Sequence, residues 1–215
     1  LLAESKTKLC FTCHKGMLDE VKGGVVHGLF GRGECLECHN AHASSNPDQL
    51  IKGGSEGCIE CHSDIWQKSS ESKYKHTPFV EEPCVVCHNP HGSKISGQLN
   101  RPAGPLCLSC HETVADGLKN QKHPHSPALE GNCLVCHAAH SGERGKLLVA
   151  EGGGLCKECH DPNQQLVQNS HKGVSLVNAD CSGCHEPHSS DSKGLLHKVM
   201  HEPFMNKQCQ LCHEQ

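Results

Sequence analysis

The stretch His76-Thr77-Pro78-Phe79-Val80-Glu81-Glu82-Pro83-Cys84-Val85-Val86-Cys87-His88-Asn89-Pro90-His91 decides the fold. Two cysteines stand three apart, a histidine follows the second directly, another lies three residues on, and a fourth landmark, His76, precedes Cys84 by eight. The C-x-x-C-H core of this stretch occurs nine times in 215 residues and uses all 18 cysteines. The motifs are Cys10-Cys13-His14, Cys35-Cys38-His39, Cys58-Cys61-His62, Cys84-Cys87-His88 and Cys107-Cys110-His111, then Cys133-Cys136-His137, Cys156-Cys159-His160, Cys181-Cys184-His185 and Cys209-Cys212-His213.

C-x-x-C-H is the attachment signature of c-type haem: two thioethers to the vinyl groups, and an adjacent imidazole on the iron. Cys₄ zinc sites also use C-x-x-C pairs about twenty residues apart. They need pairs in even number and have no use for a histidine after every one. Disulfides explain an even cysteine count but not the histidines, and the tighter cysteine runs of iron–sulfur clusters are missing. The residues therefore predict nine haems c, with the nine motif histidines as proximal ligands.

The motifs alternate between two contexts. Type A motifs, at Cys10, Cys58, Cys107 and Cys156, are followed by a short polar segment of helical character, as in Glu112 to Lys119. Type B motifs, at Cys35, Cys84, Cys133 and Cys181, carry a histidine three positions on: His42, His91, His140 and His188. Both contexts recur every 48 to 49 residues. The approach to Cys209, His201-Glu202-Pro203-Phe204, resembles His76-Thr77-Pro78-Phe79, so the last motif reads as a B without its A. The array is expected to run as repeats over 10–42, 58–91, 107–140 and 156–188, with a terminal half repeat over 197–215.

Upstream histidines recur as well: His27, His76, His125 and His201 lie eight residues ahead of a B motif, and His171 lies ten ahead. With the four post-motif histidines they make nine, one distal ligand for each iron. The simplest assignment gives each upstream histidine to the B motif it precedes and each post-motif histidine to the A motif of its own repeat. His42 serving Cys58 is an open alternative, and His123 rivals His125. His197, Met17, Met200 and Met205 do not recur with the repeat and read as packing or surface residues.

Composition fits a chain whose core is not made of side chains. Hydrophobic residues are 35% including the cysteines, and aromatics 3%, too little apolar surface to offset the entropy of ordering the chain. Charged residues at 20% and a net charge of −4 do not match a disordered polyelectrolyte. No basic stripe or aromatic platform suits nucleic acid, and no apolar run is long enough for a transmembrane segment. Leu1 to Lys8 lack the pattern of a signal peptide, so an export signal is expected to have been removed or to lie ahead of the segment. The fold expected is mostly irregular loops with few short α-helices and almost no β, elongated around a core of stacked haems.

The doubled pattern His-x₇-C-x-x-C-H-x-x-H resembles the multihaem c-type cytochromes of respiratory and extracellular electron transfer. Among these are the outer-membrane decahaem conduits, the pentahaem donors of nitrite reductase and the extracellular cytochrome filaments. The resemblance implies an exported protein, periplasmic, outer-membrane-associated or extracellular. Its partners would be other redox proteins of the cell envelope, an outer-membrane porin or copies of itself. Two imidazoles per iron leave no substrate position, so no catalytic residue is expected and electron transfer is the function read here; a subunit of a polymeric wire is the alternative. A reductase with one open haem is a third reading. The nitrite reductases it would resemble carry C-x-x-C-K, and no lysine follows any pair here.

Overall fold

The structure, a computed structural model, describes residues 4–172, 174–206 and 208–212, without the side chains of Lys6 and Cys209. His213 and the Cys209 side chain thus lie outside the described residues.

Every motif among the described residues that reaches its histidine closes into a single turn. The histidine N–H donates to the carbonyl of the first cysteine in all eight, for example His14 to Cys10 at 3.0 Å and His88 to Cys84 at 2.9 Å. Residues three and four apart share one face of such a turn, so both thiols and the imidazole emerge together. The two contexts differ in what carries the turn. Type A motifs lie in or against α-helices, Lys6–Cys13, Glu56–Ile59, Ala103–Leu108 and Gly152–Lys157. Type B motifs form isolated 3-10 turns, Cys35–Glu37, Cys84–Val86, Cys133–Val135 and Cys181–Gly183. Cys209–Leu211 takes the same 3-10 turn, the backbone of a B motif.

The polar segments after the A motifs are helical, Gly16–Val21, Ser63–Glu71, Glu112–Asn120 and Gln165–Ser170. The upstream histidines His27, His76, His125 and His201 each sit at the N-cap of a short helix, and Pro78, Pro127 and Pro203 occupy the first turn of three of these. Proline has no N–H to lose there and its fixed φ suits a helix start. His171 differs: it closes the C-terminal end of Gln165–Ser170.

The described residues contain twelve short α-helices and three two-stranded antiparallel ladders; the remainder is 3-10 turns and loops, with no barrel. The strands are two residues each: β1 (Val25–Val26), β2 (Tyr74–Lys75), β3 (Gly92–Ser93), β4 (His123–Pro124), β5 (Ser141–Gly142) and β6 (Ser189–Ser190). They pair β1 with β3, β2 with β5 and β4 with β6. Each ladder joins the residues just before an upstream histidine to those just after a post-motif histidine of the next repeat. The register continues into the histidines: His27 N–H donates to His91 O at 3.1 Å, His76 to His140 at 2.8 Å and His125 to His188 at 2.8 Å.

Two compact units result. One comprises the described residues up to Leu106 with Ala138–Leu147; the other comprises Cys107–His137 with the described residues from Leu148 onward. The side-chain core is almost nil. Among the described residues only Val21 and Phe30 are buried hydrophobics. The chain exposes 15515 Å², against roughly 9,700 Å² for a compact monomer of this size. The described side chains therefore supply almost no apolar core of their own.

Gly92 is the tightest point of the ladders. Its φ is +143°, and a Cβ there would meet Val25 O at 2.6 Å and Val26 Cα at 3.0 Å. Gly92→Val is expected to cost about 2 kcal/mol in equilibrium unfolding, from strain and backbone overlap together. The same substitution at Gly97, whose Cβ direction is open, should cost less, and equal losses would show that the β1–β3 contact is not the cause.

Candidate functional site

Nine of the sequence-predicted distal histidines and eight of the proximal ones lie among the described residues, and six pairs of them stand with their ring centres close together. In the first unit His27 faces His62 with ring centres 6.2 Å apart, His39 faces His91 at 6.0 Å, and His88 faces His140 at 6.0 Å. In the second, His125 faces His160 at 6.1 Å, His137 faces His188 at 6.1 Å, and His171 faces His185 at 6.0 Å. Every pair joins one motif histidine to one histidine outside the motifs.

These pairings differ from the local assignment read from the sequence, which matches only His171 with His185. Post-motif histidines reach the B motif of the preceding repeat, as His91 does with His39. Upstream histidines reach the A motif of the following repeat, as His27 does with His62. The ladders are the cause, because they lash the end of one repeat's upstream segment to the start of the next repeat's post-motif segment.

The rings are oriented through Nδ1. His39 Nδ1 bonds Asp48 O at 2.8 Å, His88 Nδ1 bonds Gly97 O at 2.7 Å and His185 Nδ1 bonds Gly194 O at 2.6 Å. The accepting residues stand at positive φ inside the 3-10 turns Pro47–Gln49, Ser96–Gln98 and Lys193–Leu195. Left-handed backbone turns each carbonyl toward the ring, at low cost where the residue is glycine. Outside the motifs, His76 Nδ1 bonds Ala139 O at 2.8 Å, His125 bonds Pro187 O at 2.9 Å and His171 bonds Val167 O at 2.8 Å. A ring that donates from Nδ1 presents Nε2 as a lone pair, the second-shell arrangement typical of metal-bound histidine. The sequence held a signal for these acceptors, the Gly or polar residue nine positions after each B histidine, but only as a turn.

The electrostatics favour neutral rings. Burial, followed by the charge of the facing His62, lowers the pKa of His27; burial and His39 lower that of His91, and burial and His88 that of His140. Neutral imidazole is the form that ligates iron. Phe30 packs on His91 at 5.0 Å and Phe79 on His140 at 4.7 Å, contacts with no sequence signal beyond an aromatic three residues after an upstream histidine.

Thiols of successive motifs are neighbours. Burial and then the Cys84 thiol push Cys58 up to about 11, and burial and then Cys181 push Cys156 up to about 11. Cys35 is raised by burial and by Cys10 beside it, Cys38 by burial and Cys61, Cys136 by burial and Cys159. First cysteines thus meet within a repeat and second cysteines meet between repeats.

The donor set suits haem. Two imidazoles approaching one metal in line, at about 2 Å on each side, place their ring centres about 6 Å apart. Among the described residues no three His, Cys, Asp or Glu side chains converge as a protein-only metal site requires. Such a pair of imidazoles would suit an iron whose remaining ligands come with the cofactor itself, and the neighbouring C-x-x-C thiols would provide its attachment. His197 differs from the paired rings: its Nε2 lies 2.9 Å from Ser182 O and its Nδ1 is 3.6 Å from Glu186. His123 belongs to β4, and it is His125 that faces His160.

An electron-carrying haem protein, a multihaem c-type cytochrome, is the class these turns and imidazole pairs define. The chain belongs to the Doubled CXXCH motif family, whose profile matches residues 27–66, 76–116, 125–165 and 175–215. Its four matched repeats indicate multiple haems c, about eight. Each of the first three windows opens on an upstream histidine and closes just after an A motif, so His27 with His62, and His125 with His160, fall inside one window. No curated protein matches the chain. No helix of the described residues is long and apolar enough to cross a membrane.

Proposed function

We propose that the chain carries electrons through nine bis-His haems c, held by the nine C-x-x-C-H motifs and by His27, His42, His76, His91, His125, His140, His171, His188 and His201. The observation that carries this reading is the set of six facing imidazole pairs, each joining one motif histidine to one other histidine at 6.0 to 6.2 Å. Haem c supplies a reversible one-electron iron couple when bound. The protein's part is to fill both axial positions, which disfavours substrate binding at iron and leaves outer-sphere transfer. Imidazole on both faces, in place of Met, keeps the potentials comparatively low.

Neighbouring thiols order the path. Cys10 beside Cys35, Cys38 beside Cys61 and Cys58 beside Cys84 bring the first four attachment sites together in chain order. Cys136 beside Cys159 and Cys156 beside Cys181 do the same in the second unit. Electrons pass along the repeat array in sequence order within each unit. The protein works after export, in the periplasm, at the outer membrane or outside the cell, between redox proteins of the envelope.

Pyridine haemochrome analysis should return nine haems per chain, and electron paramagnetic resonance should find the haems of the six pairs low-spin. Four or five haems with bound zinc would overturn the reading.

A further inference from the structure

The approach to the fourth B turn is built unlike its counterparts. Glu34, Pro83 and Asn132 precede the turns Cys35–Glu37, Cys84–Val86 and Cys133–Val135, and none of them caps its turn with a side chain. Asp180 does cap Cys181–Gly183. Its Oδ1 accepts from Ser182 N–H at 3.1 Å and from the Ser182 hydroxyl at 2.8 Å. Two donors to one carboxylate oxygen hold an otherwise exposed side chain in place.

The glycines of the preceding A motif let that carboxylate come close. Gly152, Gly153 and Gly154 lie in the helix Gly152–Lys157, although glycine weakens a helix. Two of them make room. A Cβ on Gly153 would meet Ala179 O at 2.2 Å, and one on Gly152 would meet Asp180 Oδ1 at 3.2 Å. Cys156 Sγ in turn bonds Gly152 O at 3.2 Å, so the Cys156 thiol and the Asp180 carboxylate lie against the same glycine. Cys181 follows Asp180 in the chain, and Lys157 Nζ donates to Val177 O of the same segment. After burial, Cys181 and Cys136, the Asp180 charge is a further cause of the raised Cys156 thiol.

No ion pair neutralises this charge. Glu34, the acid at the same position in the first repeat, is tied to Arg32 by bonds of 3.0 and 2.8 Å. Asp180 has no Lys, Arg or His partner among the described residues.

We propose that Asp180 sets the haem pair of the fourth repeat, attached at Cys156 and Cys181, to low potential, making that pair the electron-donating side of its unit. The proposal rests on the haem reading above. Ferric iron carries one more positive charge than ferrous, so a fixed negative charge nearby favours oxidation. One carboxylate acts on both groups because it stands where their first thiols meet. The corresponding residue ahead of Cys133 is Asn132, which is neutral. Electrons then leave the fourth repeat for the haem attached at Cys133, through the neighbouring Cys136 and Cys159 sites. One electron moves from ferrous to ferric iron and no proton is required.

Asp180→Asn in the haem-loaded full chain is the test. Asparagine keeps an oxygen for both Ser182 bonds and removes only the charge. A potentiometric titration followed by nuclear magnetic resonance reads each haem separately. Methyl contacts to Ser182 and Gly183 identify the Cys181 group, and contacts to Lys157 and Glu158 the Cys156 group. In the wild type both should be reduced after the haem at Cys133. In the variant their ferrous-to-ferric ratio at a fixed potential should rise roughly three- to tenfold, with the Cys133 group moving much less and the thermal midpoint unchanged. Asp180→Ala should give the same redox shift with a lower midpoint, since it loses the cap as well. A shift in the alanine variant but none in the asparagine variant would make Asp180 a structural cap alone and overturn the proposal. So would reduction of the Cys156 and Cys181 groups ahead of the Cys133 group in the wild type. A haem count well below nine would instead undo the reading on which the proposal rests.

Discussion

His91→Ala is expected to convert one haem per chain from low-spin to high-spin, and that haem should be the one attached through Cys35 and Cys38. His91 belongs to the second repeat, yet its ring stands 6.0 Å from His39, nearly parallel at 21°. Its position is fixed from three directions. Phe30 packs on the ring, His27 N–H bonds its carbonyl, and Asn89 Oδ1 accepts from its own N–H at 3.0 Å. Among the described residues no other imidazole is set against His39, so removing the ring would leave the iron with one imidazole and raise its potential. Haem-methyl resonances of the altered group should show through-space contacts to Leu36 and Glu37. Contacts to Ile59 and Glu60 instead would mean that His91 serves the A motif of its own repeat, and an unchanged low-spin spectrum would remove it from the ligands.

That experiment also marks the line between what the sequence discloses and what it hides. The thiols and motif histidines are legible because attachment chemistry confines them to five consecutive residues. The two motif contexts are legible too, since the helix of Lys6–Cys13 and the 3-10 turn of Cys84–Val86 follow from local composition. Even the terminal motif at Cys209 betrays its type through the His201-Glu202-Pro203-Phe204 approach. The partner of each distal histidine is another matter. It is set by ladders of two residues, such as Val25–Val26 on Gly92–Ser93. Two residues cannot display the alternation by which a strand is read, and Gly92 and Ser93 have low strand propensity. A local pairing is the economical guess from spacing alone. Of the six pairs it matches only the one at His171, which ends a helix instead of beginning one and so turns back to its own repeat's His185.

The unhaemed chain, produced where no haem is attached, is expected to lack the fold altogether: a coil-like far-UV circular dichroism spectrum, no cooperative unfolding, and rapid proteolysis where the holoprotein resists. Ordering the backbone costs on the order of 1–2 kcal/mol per residue, and burial of apolar surface must offset it. Here the buried hydrophobic side chains are Val21 and Phe30 among the described residues. The helices cannot stand alone, since the longest are nine residues, Ser63–Glu71 and Glu112–Asn120, and isolated helices shorter than about 12–15 residues are marginal in water. The facing imidazoles would work against folding without iron, because each pair sets two polar rings together with no bond between them. Lowered pKa values at His27, His91 and His140 add a further penalty in acid. Their depressed folded values mean stability is lost as pH falls below the ordinary histidine range, where the unfolded chain takes up protons that the folded one resists. On the bis-His reading, attached haems would reverse these terms, supplying apolar surface and a metal bond to each pair. A cooperative thermal transition in the unhaemed chain would show that the peptide holds itself together, and would end the argument that the haem stack is its core.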